Sequence, residues 1–229
     1  MIKYVPQFTS VVLEEIPDRV SLAVEISNCR GNCPGCHSPF LKDDIGRELT
    51  PEIIAGLVGD NFGVNCFLFL GEGQDPETLV RLAAYVRTLG LQPALYSGRD
   101  EVEDAYWEVF DYVKLGPYVA EKGPLNEPTT NQRLYRRLAP GEVPPLGYDV
   151  VYHTAASGGP AASGGPAASD GPAASGGPAA SGASSGPCAS SGCALSSPAS
   201  SGASSDASSG LCAFLDITPR FWRRGVEQR

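Results

Sequence analysis

The stretch CFLFLGEGQDPETLVRLAAYVRTLG, residues 66–90, decides the fold. Its first five residues, Cys66 to Leu70, form a short unbroken apolar run of the kind carried by a strand buried on both faces. Gly71 opens a turn, and Asp75 before Pro76 is a cap-then-proline helix start. Leu79, Leu82, Ala83, Val86 and Leu89 then recur at helical spacing until Gly90 stops them. The unit reads strand, turn, helix.

Outward from this unit the pattern repeats. Val20 to Ile26 is rich in β-formers and predicts a strand running into a cysteine-rich loop. Thr50 caps a helix beginning at Pro51, with Ile53, Ile54, Leu57 and Val58 on one face and Gly59 at its end. Pro93 to Tyr96 predicts a strand, Asp100 to Phe110 a helix, and Tyr112 to Leu115 a strand ending at Gly116-Pro117. Such alternation predicts an α/β fold, a mostly parallel sheet with helices packed on it, whose sites gather at the carboxyl ends of the strands. The cysteine loop, Gly71 to Gln74, Ser97-Gly98 and Gly116-Pro117 all fall there.

From Ala155 the chain changes character: AASGGP recurs through Pro178 and decays into Ala, Ser and Gly up to about Gly210. With almost nothing to bury, and without the aliphatic period of a β-helix or the glycine period of collagen, this block reads as a disordered, flexible insertion. Order returns at Leu211, with Ala213 to Thr218 as a final strand before Phe221-Trp222. Residues 1–154 therefore form the main domain, 155–210 interrupt it, and 211–229 complete it.

The 229 residues carry 17 Lys and Arg against 26 Asp and Glu, a net charge of −9, and no basic run suited to a phosphate backbone, so nucleic acid is not expected as a direct partner. No stretch is apolar for the ~20 residues that a membrane span needs. The opening MIKYVPQFTS lacks an export pattern, and a cytoplasmic location with no membrane association is expected. Seven cysteines in that setting are expected to stay reduced, and three of them lie between Cys29 and Cys36. Cys66 reads as core. Cys188, Cys193 and Cys212 read as incidental, an auxiliary cluster being the other reading.

In Cys29-Arg-Gly-Asn-Cys33-Pro-Gly-Cys36, Gly31, Pro34 and Gly35 let three thiolates turn toward one centre. Iron-sulfur cubanes are held by thiolates, and three ligands leave one of four irons open. Two other readings stand beside this one. Structural zinc would take His37 as a fourth ligand, directly after Cys36. A thioredoxin-like pair Cys33-Pro-Gly-Cys36 would leave Cys29 without a purpose.

The C-x3-C-x2-C spacing after an early strand resembles the signature of the radical S-adenosylmethionine superfamily. The Cys-Pro-Gly-Cys form, with Gly35 where an aromatic is common, is similar to the activating proteins of anaerobic ribonucleoside-triphosphate reductase. Tyr96-Ser-Gly98, Asp111 to Tyr118, Thr129 to Arg133 and Asp216 to Trp222 extend the resemblance over most of the chain outside the insertion.

This resemblance implies a partial parallel (β/α) barrel and a 4Fe-4S cluster on Cys29, Cys33 and Cys36. It further implies an S-adenosyl-L-methionine site lined by Gly35, His37 and the turn Gly71, Glu72 and Gly73, with Ser97 and Lys114 as further contacts. Glu72 stands where a second glycine is usual. The implied activity is an oxidoreductase reaction in which a 5'-deoxyadenosyl radical takes a hydrogen atom from a glycine of the partner reductase and leaves a glycyl radical there. A flavodoxin- or ferredoxin-type protein would supply the electron. An activase of another glycyl radical enzyme and a non-catalytic binding variant are the remaining alternatives.

Overall fold

The computed structural model describes residues 1–154 and 211–226, and both stretches lie in one unit. The block 155–210, with Cys188 and Cys193, and the last three residues lie outside the described residues.

The elements are β1 (Lys3–Tyr4), β2 (Ser10–Val12), β3 (Ser21–Glu25), β4 (Arg47–Glu48), α1 (Pro51–Asp60), β5 (Cys66–Leu70), α2 (Pro76–Thr88), β6 (Gln92–Tyr96), α3 (Asp104–Val109), β7 (Tyr112–Leu115), β8 (Arg133–Arg137), β9 (Val150–Thr154), β10 (Leu211–Asp216) and α4 (Pro219–Val226). β1 and β4 form a small antiparallel pair. The other eight strands make one sheet in the order β2-β3-β5-β6-β7-β8-β10-β9.

Its centre is parallel: β3, β5, β6 and β7 run side by side, each joined to the next by a crossover that contains a helix. The flanks are antiparallel, at β2 on one edge and through β8, β10 and β9 on the other. The sheet is thus mixed rather than mostly parallel. The cause is local: the 116–132 connection after β7 contains no α-helix, so β8 returns antiparallel.

Alternation along the strands sorts two cores. Leu22, Val24, Phe67, Phe69, Leu95 and Val113 pack against Ile54 of α1, Leu79, Leu82 and Val86 of α2, and Tyr106 and Trp107 of α3. Ala23, Cys66, Leu68, Ala94 and Tyr112 point the other way, onto Ile16, Leu134, Leu215 and Ile217. Each large side chain so buried contributes roughly 1.5–3 kcal/mol. Cys66 is core as expected, and burial pushes its thiol up to about 12.

Both helix starts read from the sequence are built as expected. The Thr50 side chain accepts from the Ile53 N–H, and Asp75 Oδ1 accepts from the Thr78 N–H at 3.0 Å. The helix expected over Asp100 to Phe110 is shorter, because the chain bends at Asp100, Glu103 is extended, and helix begins only at Asp104. β9 and β10 are antiparallel neighbours with Thr154 opposite Leu211, so the chain leaves for residue 155 and returns from residue 210 at adjacent positions. Among the described residues no helix is long and apolar enough to cross a membrane.

Candidate functional site

The carboxyl ends of the four parallel strands carry every residue that the sequence reading singled out. Cys29 to His37 follow β3, Gly71 to Gly73 follow β5, Ser97 follows β6, and Lys114 lies in β7.

The cysteine loop is pinned at its start. Asn28 takes a left-handed φ of 56°, which Asn tolerates, and it turns the chain out of the sheet. The N–H groups of Asn28 and Cys29 donate to the carbonyls of Asp43 and Leu41 at 3.2 and 2.8 Å, and Gln74 Nε2 donates to the Asn28 carbonyl at 3.1 Å. The three thiols are free and partly exposed. Burial raises the Cys29 thiol above its ordinary value. The Gly31 N–H, which donates to Cys29 Sγ at 3.3 Å, draws it back, while Cys33, Cys36 and Glu72 push it further up. The Cys29 sulfur is therefore within electrostatic reach of the other two and of the Glu72 carboxyl.

The loops after β3 and β6 touch at glycines. A Cβ on Gly98 would fall 2.6 Å from Cys33 Sγ, and one on Gly31 would lie 3.4 Å from Gly98 Cα. At Gly35 a Cβ would meet the Tyr118 ring at 3.0 Å, and the exposed His37 sets its ring 4.6 Å from the same tyrosine. Tyr118, contributed from beyond β7, thus fills the space beside Gly35.

Glu72 is 3 % exposed, and both its oxygens are engaged: Ser97 Oγ donates to Oε1, and Arg99 Nη1 donates to Oε2 at 2.9 Å. Its side chain is committed within the protein, and the backbone of the turn is what remains to meet a ligand. Gly71 and Gly73 hold φ of 110° and 64° there, which glycine adopts at little cost and a residue with a side chain does not. Lys114 is buried, donates to the Gly116 carbonyl at 3.2 Å, and lies 5.7 Å over the Tyr96 ring. Burial pulls its ammonium down to about 8, with Cys33 and Glu15 acting to raise it.

The Thr129 to Arg133 segment acts as a buttress. Asn131 Nδ2 donates to the Pro117 carbonyl at 2.9 Å and Gln132 Nε2 to the Gly116 carbonyl at 3.4 Å, which fixes the turn that presents Tyr118. Sequence reasoning missed three charged residues at this site: Arg30, Arg99 and Glu103. Arg99 Nη1 also donates to Glu103 Oε2 at 3.1 Å, and Arg30 Nη2 donates to Glu103 Oε1 at 2.6 Å. The one available signal was the position of Arg30 between two cysteines.

Among the described residues, no group of three or more His, Cys, Asp or Glu side chains is gathered around a single metal-ion position. One ion would need its donors drawn together at bonding distance, whereas a cubane spreads three thiolates over three irons. The donor set of three soft thiols and the side-chain-free glycines beside two of them fit a cluster. No family model, curated protein or solved structure matches the chain.

Proposed function

We propose that this protein is a radical S-adenosylmethionine activase that installs a glycyl radical on anaerobic ribonucleoside-triphosphate reductase. One observation carries the reading: the C-x3-C-x2-C loop lies at the carboxyl edge of four parallel strands, in contact with the loop after β6 and beside the turn presented from β7. The stepwise order of those strands, with every crossover helix packed on one face, supports a partial (β/α) barrel.

Cys29, Cys33 and Cys36 would hold a 4Fe-4S cluster, which together with S-adenosyl-L-methionine supplies one electron and a 5'-deoxyadenosyl radical able to take a hydrogen atom from glycine. The remaining residues bind and orient. Lys114 offers a cation from the β7 side for a carboxylate, set in an apolar surrounding where such a pair is strong. The Gly71 to Gly73 turn offers backbone groups that Glu72, held by Ser97 and Arg99, keeps in place. Tyr118 sets an aromatic face against Gly35, the position at which the wider superfamily often has an aromatic residue and the resembled activating proteins have glycine. The cysteine loop is partly exposed, which leaves an approach for a protein substrate and for a flavodoxin- or ferredoxin-type electron donor.

The test is anaerobic reconstitution with iron and sulfide, followed by a one-electron reductant and S-adenosylmethionine, with 5'-deoxyadenosine measured against a Cys33→Ala control. Product from the unaltered chain alone supports the reading. A reducible cluster that yields no product, or zinc in place of a cluster, sinks it.

A further inference from the structure

Four charged side chains run in line from the floor of the site to the cysteine loop. Glu72 holds Arg99 Nη1 at 2.9 Å, the same nitrogen reaches Glu103 Oε2 at 3.1 Å, and Glu103 Oε1 takes Arg30 Nη2 at 2.6 Å. They come from three segments: Glu72 from the turn after β5, Arg99 and Glu103 from the loop between β6 and α3, and Arg30 from the loop after β3, where it directly follows Cys29. Glu72 is buried at one end, and Arg30, at the other, is 24 % exposed.

From residue 31 to residue 36 the hydrogen bonds are internal among the described residues: Gly31 N–H to Cys29 Sγ and Cys36 N–H to the Cys33 carbonyl. A span containing Gly31, Pro34 and Gly35 has no helix or strand to hold its shape. Arg30, directly before that span, adds a side-chain hydrogen bond to another element beyond the backbone bonds of Asn28 and Cys29, and its partner Glu103 is itself fixed by Arg99, hence by Glu72.

We infer that Arg30, Glu103 and Arg99 are positioning residues that carry the rigidity of the buried Glu72 to the thiol loop, holding the segment of Cys29 and Cys33 in place against the loop after β6. Alternation of sign along the line makes every rung attractive, and partial burial shields the rungs from solvent. Removing either partner of the outermost rung frees the loop and leaves the four-strand centre intact. The inference deepens the function proposed above and rests on it for the purpose of the loop, though not for the geometry.

The experiment separates the two. On the metal-free full chain under reducing conditions, native-state alkylation of Cys29 and Cys33 is followed by mass spectrometry, with buried Cys66 as the slow internal reference. Arg30→Ala is expected to speed labelling of both loop thiols about tenfold, the size of a partly buried charged pair. Loss of a cation would by itself make thiolate scarcer and slow the reaction, so acceleration reads opening of the loop. Glu103→Ala is expected to match it, and the double variant to be no faster than either single, because one rung is being removed twice. In parallel, reconstituted Arg30→Ala is expected to lose iron to a chelator about tenfold faster than the unaltered chain.

Unchanged labelling in Arg30→Ala, or additive effects in the double variant, overturns the inference. Faster labelling in Arg30→Ala, with an unaltered chain that never loads iron and sulfide, would keep the clamp and overturn the proposed function instead. Should Glu103→Ala fail to fold, the Arg30→Ala rate alone decides, since Arg30 lies outside both cores.

Discussion

Two ionic constellations border α3, and they differ in what they join. Before β7, Arg87 Nη2 meets Asp111 Oδ1 at 2.6 Å, and Arg137 lies 3.7 Å from the same oxygen. Both arginines also donate to the carbonyls that end α3: Arg87 to Val109 at 2.9 Å, and Arg137 to Phe110 at 2.9 Å and to Trp107. Arg137 further donates to Cys212 Sγ at 3.0 Å and covers the Phe214 ring at 4.9 Å. This constellation ties α2, α3, β8 and β10, all parts of the core. Beyond the strands' carboxyl ends, the Glu72, Arg99, Glu103 and Arg30 line ties loops. The same chemistry thus builds a framework at one end of the sheet and a positioned site at the other, so the two should respond differently to substitution.

The largest effect is expected at the framework. Arg137→Ala removes a guanidinium from five partners and leaves Trp107, Phe110 and Asp111 short of donors, which costs about 3 kcal/mol of unfolding free energy in a denaturant titration. A loss under about 1 kcal/mol would mean that the two constellations are not distinct in this way.

Next in size is a pH effect at Lys114. Its ammonium is drawn down to about 8 chiefly by burial, while the unfolded chain holds the proton to about 10.4. Between those values the unfolded state binds more protons, so stability rises with pH through that window and the cost of the buried charge is fully present below about pH 8. The rise is about 2 kcal/mol relative to Lys114→Met, in which it should be absent. Parallel stability curves for the two chains across the window would contradict the assignment.

Arg30→Ala should lower global stability by less than about 1 kcal/mol, in contrast to Arg137→Ala, because it disturbs a loop and not a core contact. A cost as large as that of Arg137→Ala would place Arg30 in the framework. The smallest effect is expected from replacing residues 155–210 with a two-residue Asn-Gly turn: Thr154 and Leu211 already face each other, so the melting temperature should not fall. A drop of more than about 5 °C would show that the segment carries part of the core.

These contrasts follow what the sequence exposes. The β5 to α2 unit was legible because one apolar run and one capped helix fill it, and its bounds fall within a residue of those expected. The parallel centre followed from its repetition. The antiparallel flank did not: β8 is Arg-Leu-Tyr-Arg-Arg, with one fully buried side chain, Leu134, and its charged neighbours look like a solvated stretch until Asp111, Glu142 and Asp216 are seen beside them. His153, without a role in the sequence, stacks on Trp107 at 3.7 Å because β9 runs beside α3. At the site, the three cysteines and the turn glycines were legible from spacing within single loops. Arg99 and Glu103 were not, since their meaning depends on Glu72 and Arg30, which only the folded sheet edge brings near.

The central claim is that the loop of Cys29, Cys33 and Cys36 holds a cluster with one iron open to S-adenosylmethionine. Its most direct test is the electron paramagnetic resonance spectrum of the anaerobically reconstituted, reduced chain, recorded with and without S-adenosylmethionine. The account predicts a reduced 4Fe-4S signal, absent in Cys33→Ala, whose shape changes when S-adenosylmethionine is added. A cluster signal that S-adenosylmethionine leaves unaltered, or one that survives Cys33→Ala, would contradict it.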